Sequence, residues 1–156
     1  MSHARKQSRK AAVQALYQWH MAAQNLGVIE AQFREENANT KMDFEYFSEL
    51  LHKIPAELGE LDDLIRPFVD RSMSDINPVE LAILRLGAYE LKHRLDIPYR
   101  VVINEGVDLT KKFGADQGHK FVNGMLDKLA KSIRVDEVKS ALNRPKKNTN
   151  QNIKKN

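Results

Sequence analysis

The sequence predicts an all-α fold of two packed helical sub-bundles followed by a disordered basic tail. Three observations support this fold class. Apolar residues recur at helical spacing, capping residues and prolines divide the chain into segments of helical length, and no convincing strand pattern is present. The 156 residues, 42% of them hydrophobic, suit one compact domain. We place this domain over residues 1–142, with sub-bundles over about 1–76 and 77–142, and the tail over 143–156.

Breaks in the apolar pattern divide the first sub-bundle. Gly27 interrupts the first apolar stripe, and Asp43 is a side chain suited to cap a helix. Pro55 stands at or near the start of the next segment, and Pro67 ends or bends it. The predicted helices cover residues 11–23, 28–36, 44–54 and 55–66, and residues 37–40 form a polar loop.

The clearest helix start in the chain is Asn77 followed by Pro78, a capping side chain and then proline at the first helical position. Residues 79–91 are apolar nearly all round, which is typical of a helix in the middle of a bundle. Gly114 ends the next helix, and Asp116 is a candidate cap for the one after it. The remaining predicted helices cover residues 99–113, 116–133 and 135–142.

The composition argues against several classes of protein. The chain has no cysteine, which excludes disulfides and thiolate metal sites and suits a reducing compartment. It has no apolar run of membrane-spanning length and no secretion signal, so we expect a cytoplasmic protein. No phosphate-binding glycine loop, nucleophile elbow or pair of histidines at metal-ligand spacing occurs. We therefore expect a binding protein without catalysis, cofactor or metal.

Positive charge is concentrated at the two ends of the chain. Arg5, Lys6, Arg9 and Lys10 lie within the first ten residues, which hold no acid, and the tail is also purely basic. On a helix these four cations would repel each other and oppose the helix dipole, so their clustering predicts a phosphate chain as ligand. The alternative is a frayed arm over residues 1–8 that never joins the helix. Residues 30–80 are strongly acidic, which suggests a second, basic partner.

Lys120 and Phe121 form a second candidate nucleic-acid contact. An aromatic ring beside a lysine near a helix start can stack on an unpaired base while the cation binds phosphate. The alternative is a core position for Phe121, and the spacing of the neighbouring apolar residues, taken alone, favours that alternative.

Five segments of the sequence, in order, closely resemble the NusB family of transcription antitermination factors. They are Arg9-x-x-Ala-Val-Gln-Ala-Leu-Tyr17, residues 82–91 (AILRLGAYEL), residues 97–105 (IPYRVVINE), residues 112–114 (KFG) and residues 119–127 (HKFVNGMLD). The resemblance covers roughly residues 4–135. It implies an all-helical fold and binding of the single-stranded boxA element of nascent ribosomal RNA together with NusE, a small-subunit ribosomal protein. It also implies assembly with RNA polymerase to suppress premature termination.

The resemblance also implies roles for individual residues. It assigns RNA contact to Arg5, Lys6 and Arg9, and to Lys120 and Phe121, with Phe121 as a base-stacking residue. The family meets NusE near Glu80, on what should be the exposed edge of its helix, and near Tyr17. Lys10 departs from the family, because an acid is common there, and we keep it as an RNA-binding candidate on charge alone.

Three alternatives stay open. The chain could be a structural helical adaptor, which predicts no saturable RNA binding. It could be the RNA-docking module of a methyltransferase whose catalytic domain is a separate polypeptide. The apolar second half could also form a homodimer in the free state.

Overall fold

A computed structural model describes residues 2–144, which form eight α-helices and two short 3-10 turns. The all-α prediction is confirmed. The helices are α1 (His3–Ala22), α2 (Leu26–Glu36), α3 (Phe44–Ala56), α4 (Leu58–Ile65), α5 (Pro78–His93), α6 (Tyr99–Phe113), α7 (Gly118–Ile133) and α8 (Val135–Asn143), and the 3-10 turns are Arg66–Phe68 and Met73–Asp75. The predicted tail lies outside the described residues from 145 onward.

Side-chain caps start α3 and α5 where the sequence predicts them. Asp43 Oδ1 accepts a hydrogen bond from the Tyr46 N–H at 3.0 Å. Asn77 Oδ1 accepts one from the Val79 N–H at 2.9 Å, and Pro78 occupies the first helical position. Each cap satisfies a backbone donor that has no partner within the helix. Local chemistry therefore fixes both helix starts.

Three local predictions were wrong. Asp116 does not cap α7, because Gln117 intervenes in a left-handed conformation with φ 65° and the helix starts at Gly118 without a side-chain cap. Gly27 lies inside the first turn of α2, where its N–H donates to the capping side chain of Asn25 at 2.8 Å. Pro55 lies in the last turn of α3 rather than at the start of the following helix.

Helix α5 is the centre of the molecule. All residues of the range 80–91 are buried, and α5 packs against α1, α3, α4, α6 and α7. This arrangement confirms the prediction from its nearly continuous apolar surface. In the first half of the chain α2 packs on α1 and α3 rather than on α5. The boundary at residues 76 and 77 stays a prediction.

Two glycines bring α5, α6 and α7 into close contact. A Cβ placed at Gly87 would lie 2.5 Å from one methyl group of Leu126, and a Cβ at Gly106 would lie 2.4 Å from the other. A larger residue at either position would force the Leu126 side chain to move, because a packed interior has little room for a further carbon at such distances. The two glycines therefore allow the middle of α7, at Leu126, to pack closely against α5 and α6. None of the helices in the described part of the chain is long and apolar enough to span a membrane.

Candidate nucleic-acid and partner interface

The first turns of α1 carry the predicted RNA-binding cations, and the structure pairs two of them with acids of the second half. Arg5 Nη1 lies 3.3 Å from Asp96 Oδ2, and Lys6 Nζ lies 3.0 Å from Glu105 Oε1. Their side chains remain 30% and 47% exposed. Arg5 and Lys6 therefore already have carboxylate partners within the protein, which their local sequence does not indicate. The frayed-arm alternative is also wrong from His3 onward, because α1 begins there.

Arg9 is buried, which removes it from any nucleic-acid surface in this structure. It is 1% exposed, and its Nε donates to Glu90 Oε2 at 2.8 Å. The Tyr46 hydroxyl donates to the same carboxylate oxygen. Burial raises the pKa of Glu90, whereas Arg9 and the Tyr46 hydroxyl favour its ionised form. We therefore correct the RNA-contact prediction for Arg9: its guanidinium joins α1 to α5 inside the core.

Three guanidinium groups surround the ring of Tyr46. The guanidinium carbons of Arg5, Arg9 and Arg94 lie 5.1, 5.4 and 4.9 Å from the ring centroid. Arg94 Nε also donates to Asp96 Oδ1 at 3.0 Å. Hydrogen bonds from Arg94 and, more weakly, Arg5 lower the pKa of Asp96 to about 2. This cluster fixes the N-terminal part of α1 against the α5–α6 connection.

Lys10 is the cation of α1 that faces another cation. The neighbouring Lys112, in the last turn of α6, lowers the pKa of Lys10, with a smaller contribution from burial. The two lysines line a shallow cavity of about 190 Å³ together with Lys6, Glu105 and Asp108. In the described part of the chain no ion pair joins Lys10 or Lys112 to a carboxylate. Two converging ammonium groups favour an anion between them.

Lys120 and Phe121 lie in the first turn of α7, as the sequence predicts. Lys120 is exposed, whereas Phe121 is half-buried and packs against the edge of the core. The guanidinium carbon of Arg71 lies 4.7 Å from the centroid of the Phe121 ring. The ring is therefore neither enclosed in the core nor open on both faces.

Glu80 is buried, contrary to the prediction that it lies on an exposed edge. It is 6% exposed, and its Oε2 accepts a hydrogen bond from the Ala115 N–H at 3.1 Å. A Cβ at Gly118 would lie 2.4 Å from the same oxygen, so only glycine allows the loop to close on this carboxylate. Glu80 therefore fixes the loop between α6 and α7, because its carboxylate binds the backbone of that loop.

Tyr17 borders an open groove between α1 and α2. It is 38% exposed, and the neighbouring Met21 is 58% exposed. The groove, about 380 Å³ in volume, also contacts Phe33 and Glu36. Its lining is largely apolar, and α2 supplies one acid, Glu36, which suits a basic protein partner.

Sequence reasoning missed two cations of this region. Lys112 belongs to the KFG segment, yet nothing in its local sequence shows that it faces Lys10. Arg71 lies in the acidic stretch, and its contact with Phe121 joins residues 50 positions apart. Among the described residues, no group of three or more potential metal ligands could hold a metal ion.

Comparisons with known proteins identify the family. The NusB family profile matches residues 6–131. The transcription antitermination protein NusB of Pseudomonas putida (strain W619) is 57% identical over 136 residues, which cover 87% of this chain and 82% of that protein. NusB of Hahella chejuensis is 49% identical over 142 residues, covering 91% and 95%.

Comparison with solved structures identifies the same family. NusB of T. maritima superposes with a TM-score of 0.69 at 32% identity, covering 84% of this chain and 93% of that one. A chain from a crystal structure of the antitermination factors NusB and NusE in complex with double-stranded RNA gives 0.74 at 32% identity, covering 85% and 99%. On sequence and structure together, this chain belongs to the NusB family.

Proposed function

We propose that this chain is a transcription antitermination factor that binds the boxA element of nascent ribosomal RNA jointly with NusE. Bound there, it promotes processive elongation as part of an RNA polymerase complex in the cytoplasm, without catalysis of its own. Family membership supports this proposal, as does the related structure that contains NusB, NusE and RNA.

The convergence of Lys10 and Lys112 is the observation that carries the RNA-binding proposal. Lys10 and Lys112 line the same cavity, and the lowered pKa of Lys10 reflects the neighbouring Lys112; a phosphate between the two ammonium groups would relieve their repulsion. Lys6 lies in the same cavity and can exchange its carboxylate partner for a phosphate. The cavity thus presents three cations on a fixed frame of α1 and α6.

The chain path connects this cavity to the second candidate contact. Lys112 lies in the last turn of α6, the short loop bound by Glu80 follows, and Lys120 and Phe121 lie in the first turn of α7. A single RNA strand bound at the lysine cavity would therefore pass over this loop to reach the ring of Phe121. One base stacked on an aromatic residue contributes about 1–3 kcal/mol of binding free energy. The few contacts available on this surface therefore give specific affinity only when a second protein also contacts the RNA.

We assign the partner surface to the groove beside Tyr17, with Glu80 acting through the loop. The basic character of ribosomal proteins suits the apolar groove with Glu36 at its edge. Because Glu80 is buried, we propose that it acts on partner binding by holding loop geometry rather than by direct contact.

Fluorescence anisotropy with a labelled boxA-type RNA, with and without NusE and at several salt concentrations, tests the proposal. NusE should raise the affinity, and the logarithm of the affinity should fall linearly with the logarithm of salt concentration. The Lys10→Ala and Lys112→Ala double variant should reduce that slope by about 0.7 for each phosphate that the protein no longer neutralises. Lys139→Ala, an exposed lysine on α8, is the matched control and should bind like the native chain.

Two outcomes contradict the proposal. An affinity that NusE leaves unchanged would exclude a joint surface, and equal binding by the double variant and the Lys139 control would place the RNA elsewhere. The absence of saturable RNA binding at physiological salt would favour the structural adaptor instead.

A further inference from the structure

Arg71 has a position that the proposed function does not account for. It lies in the connection between α4 and α5, between the 3-10 turns Arg66–Phe68 and Met73–Asp75. Its guanidinium carbon is 4.7 Å from the centroid of the Phe121 ring, and its side chain is 45% exposed. The connection between the two sub-bundles therefore covers one face of the ring proposed to stack on a base.

The surroundings of Arg71 are rich in positive charge. Lys120 and Lys128 of α7 line a shallow cavity of about 250 Å³ beside Phe121, and Asp70 is the acid on its rim. Asp70 pairs with Arg71, with Oδ1 3.1 Å from Nε. The Asp70 side chain is 81% exposed, so water screens this pair strongly. Three cations thus surround the aromatic ring with one solvated carboxylate among them.

Neither contact of Arg71 contributes enough to the stability of the fold to account for its position over Phe121. A half-exposed cation over a half-buried ring and an ion pair between adjacent surface residues each stabilise a fold only slightly. Both contacts are also easily exchanged, because the arginine side chain can rotate without moving the backbone. A base stacked on Phe121 would replace the cation–π contact, and an adjacent phosphate would replace the carboxylate of Asp70 as the guanidinium's partner.

We infer that Arg71 is a further RNA-binding residue: its guanidinium leaves the Phe121 ring to a base and binds the adjacent phosphate of the single strand. This inference rests on the proposed RNA-binding function. The planar guanidinium can bind a phosphate through two N–H groups at once, which an ammonium group cannot do. Asp70 acts as a competitor that holds Arg71 while RNA is absent.

RNA titrations of three variants in the presence of NusE test the inference. Arg71→Ala should weaken boxA-type RNA binding about fourfold at 0.15 M salt and lower the salt slope by about 0.7, the value for one phosphate contact to a single strand. Arg71→Lys should keep the slope but bind more weakly than the native chain, because the charge remains and the paired N–H groups do not. Asp70→Asn should bind more tightly.

Arg100→Ala is the matched control. Arg100 also lies over an aromatic ring, 5.5 Å from the centroid of Tyr99, but it is on α6 and exposed. It should bind RNA like the native chain. Tighter binding by Arg71→Ala would show that the arginine only blocks the ring, and native-like affinity and slope would show that it makes no contact. Either result overturns the inference.

The same experiment separates this inference from the proposed function. If the native chain binds RNA and Phe121→Ala weakens binding while Arg71→Ala does not, only the role of Arg71 is wrong. If the native chain does not bind RNA with or without NusE, the proposed function itself fails.

Discussion

Replacing Arg9 with methionine should destabilise the protein strongly while leaving RNA binding nearly unchanged. The methionine keeps much of the arginine's apolar stem but leaves the buried Glu90 carboxylate without its ion-pair partner, 2.8 Å away in the native chain. Breaking a buried ion pair by removing one partner costs about 3–5 kcal/mol. With a urea m-value of about 2 kcal/mol/M, the unfolding midpoint should fall by about 1.5–2.5 M.

Arg34→Met is the control for this substitution. Arg34 also pairs with a carboxylate, Glu30 at 2.9 Å, and lies 5.4 Å from the centroid of an aromatic ring, Phe44. Its side chain is 45% exposed, so its removal should cost less than about 1 kcal/mol. The difference between the two variants isolates the effect of burial on otherwise similar contacts.

A second substitution tests whether the cost comes from the unpaired carboxylate. Adding Glu90→Met to Arg9→Met should recover part of the lost stability, because it removes that charge from the core. The reasoning is refuted if Arg9→Met has nearly native stability but binds RNA much more weakly. That result would mean that the guanidinium leaves the core to contact RNA.

Three further predictions concern stability. Gly118→Ala should lower the free energy of unfolding by about 1–3 kcal/mol, because its Cβ would lie 2.4 Å from Glu80 Oε2. Gly59→Ala is the control: a Cβ there meets open space, so this variant should be neutral or stabilising. Equal effects of the two substitutions in urea unfolding would contradict the close contact at Gly118. The pKa of Asp96 is lowered from 3.8 to about 2, so its contribution to stability, at most about 1 kcal/mol at this exposure, is present above pH 4 and lost as the pH falls towards 2. Urea titrations should show this loss in the native chain and not in Asp96→Asn. We also propose that residues 1–142 unfold as one unit: circular dichroism and the fluorescence of Trp19, the one tryptophan, should give coincident transitions, whereas separate transitions would show two independent sub-bundles.

Local signals in the sequence predict helices well and long-range pairing poorly. The starts of α3 and α5 follow from the capping chemistry of Asp43 and Asn77, which acts within three residues. The partner of Arg9 is 81 residues away, so no local pattern shows that this cation is buried. Glu80 likewise occupies a helix position that would be exposed if the loop between α6 and α7 did not close over it.

The same limit applies to the candidate site. Lys120 and Phe121 could be selected from the sequence because a cation and an aromatic ring are adjacent in it. Lys112 neighbours Lys10 of α1, and Arg71 contacts Phe121 of α7, so both positions depend on how distant parts of the chain pack together. The sequence therefore predicts which residue types are candidates for RNA contact, and the fold determines which of these candidates are exposed.

The ion pairs of α1 provide a physical reason for dependence on a partner. Arg5 and Lys6 already contact carboxylates, so a phosphate that binds them replaces an existing interaction instead of compensating a free charge. The net gain for each such contact is smaller than for an unpaired cation, and the displaced carboxylates then lie near the RNA and repel it. The same pairs hold α1 rigidly against α5 and α6, so little conformational entropy is lost on binding. We therefore expect this surface, rigid but only weakly attractive, to bind a short RNA strand weakly by itself. A second protein bound to the same RNA would supply the remaining affinity.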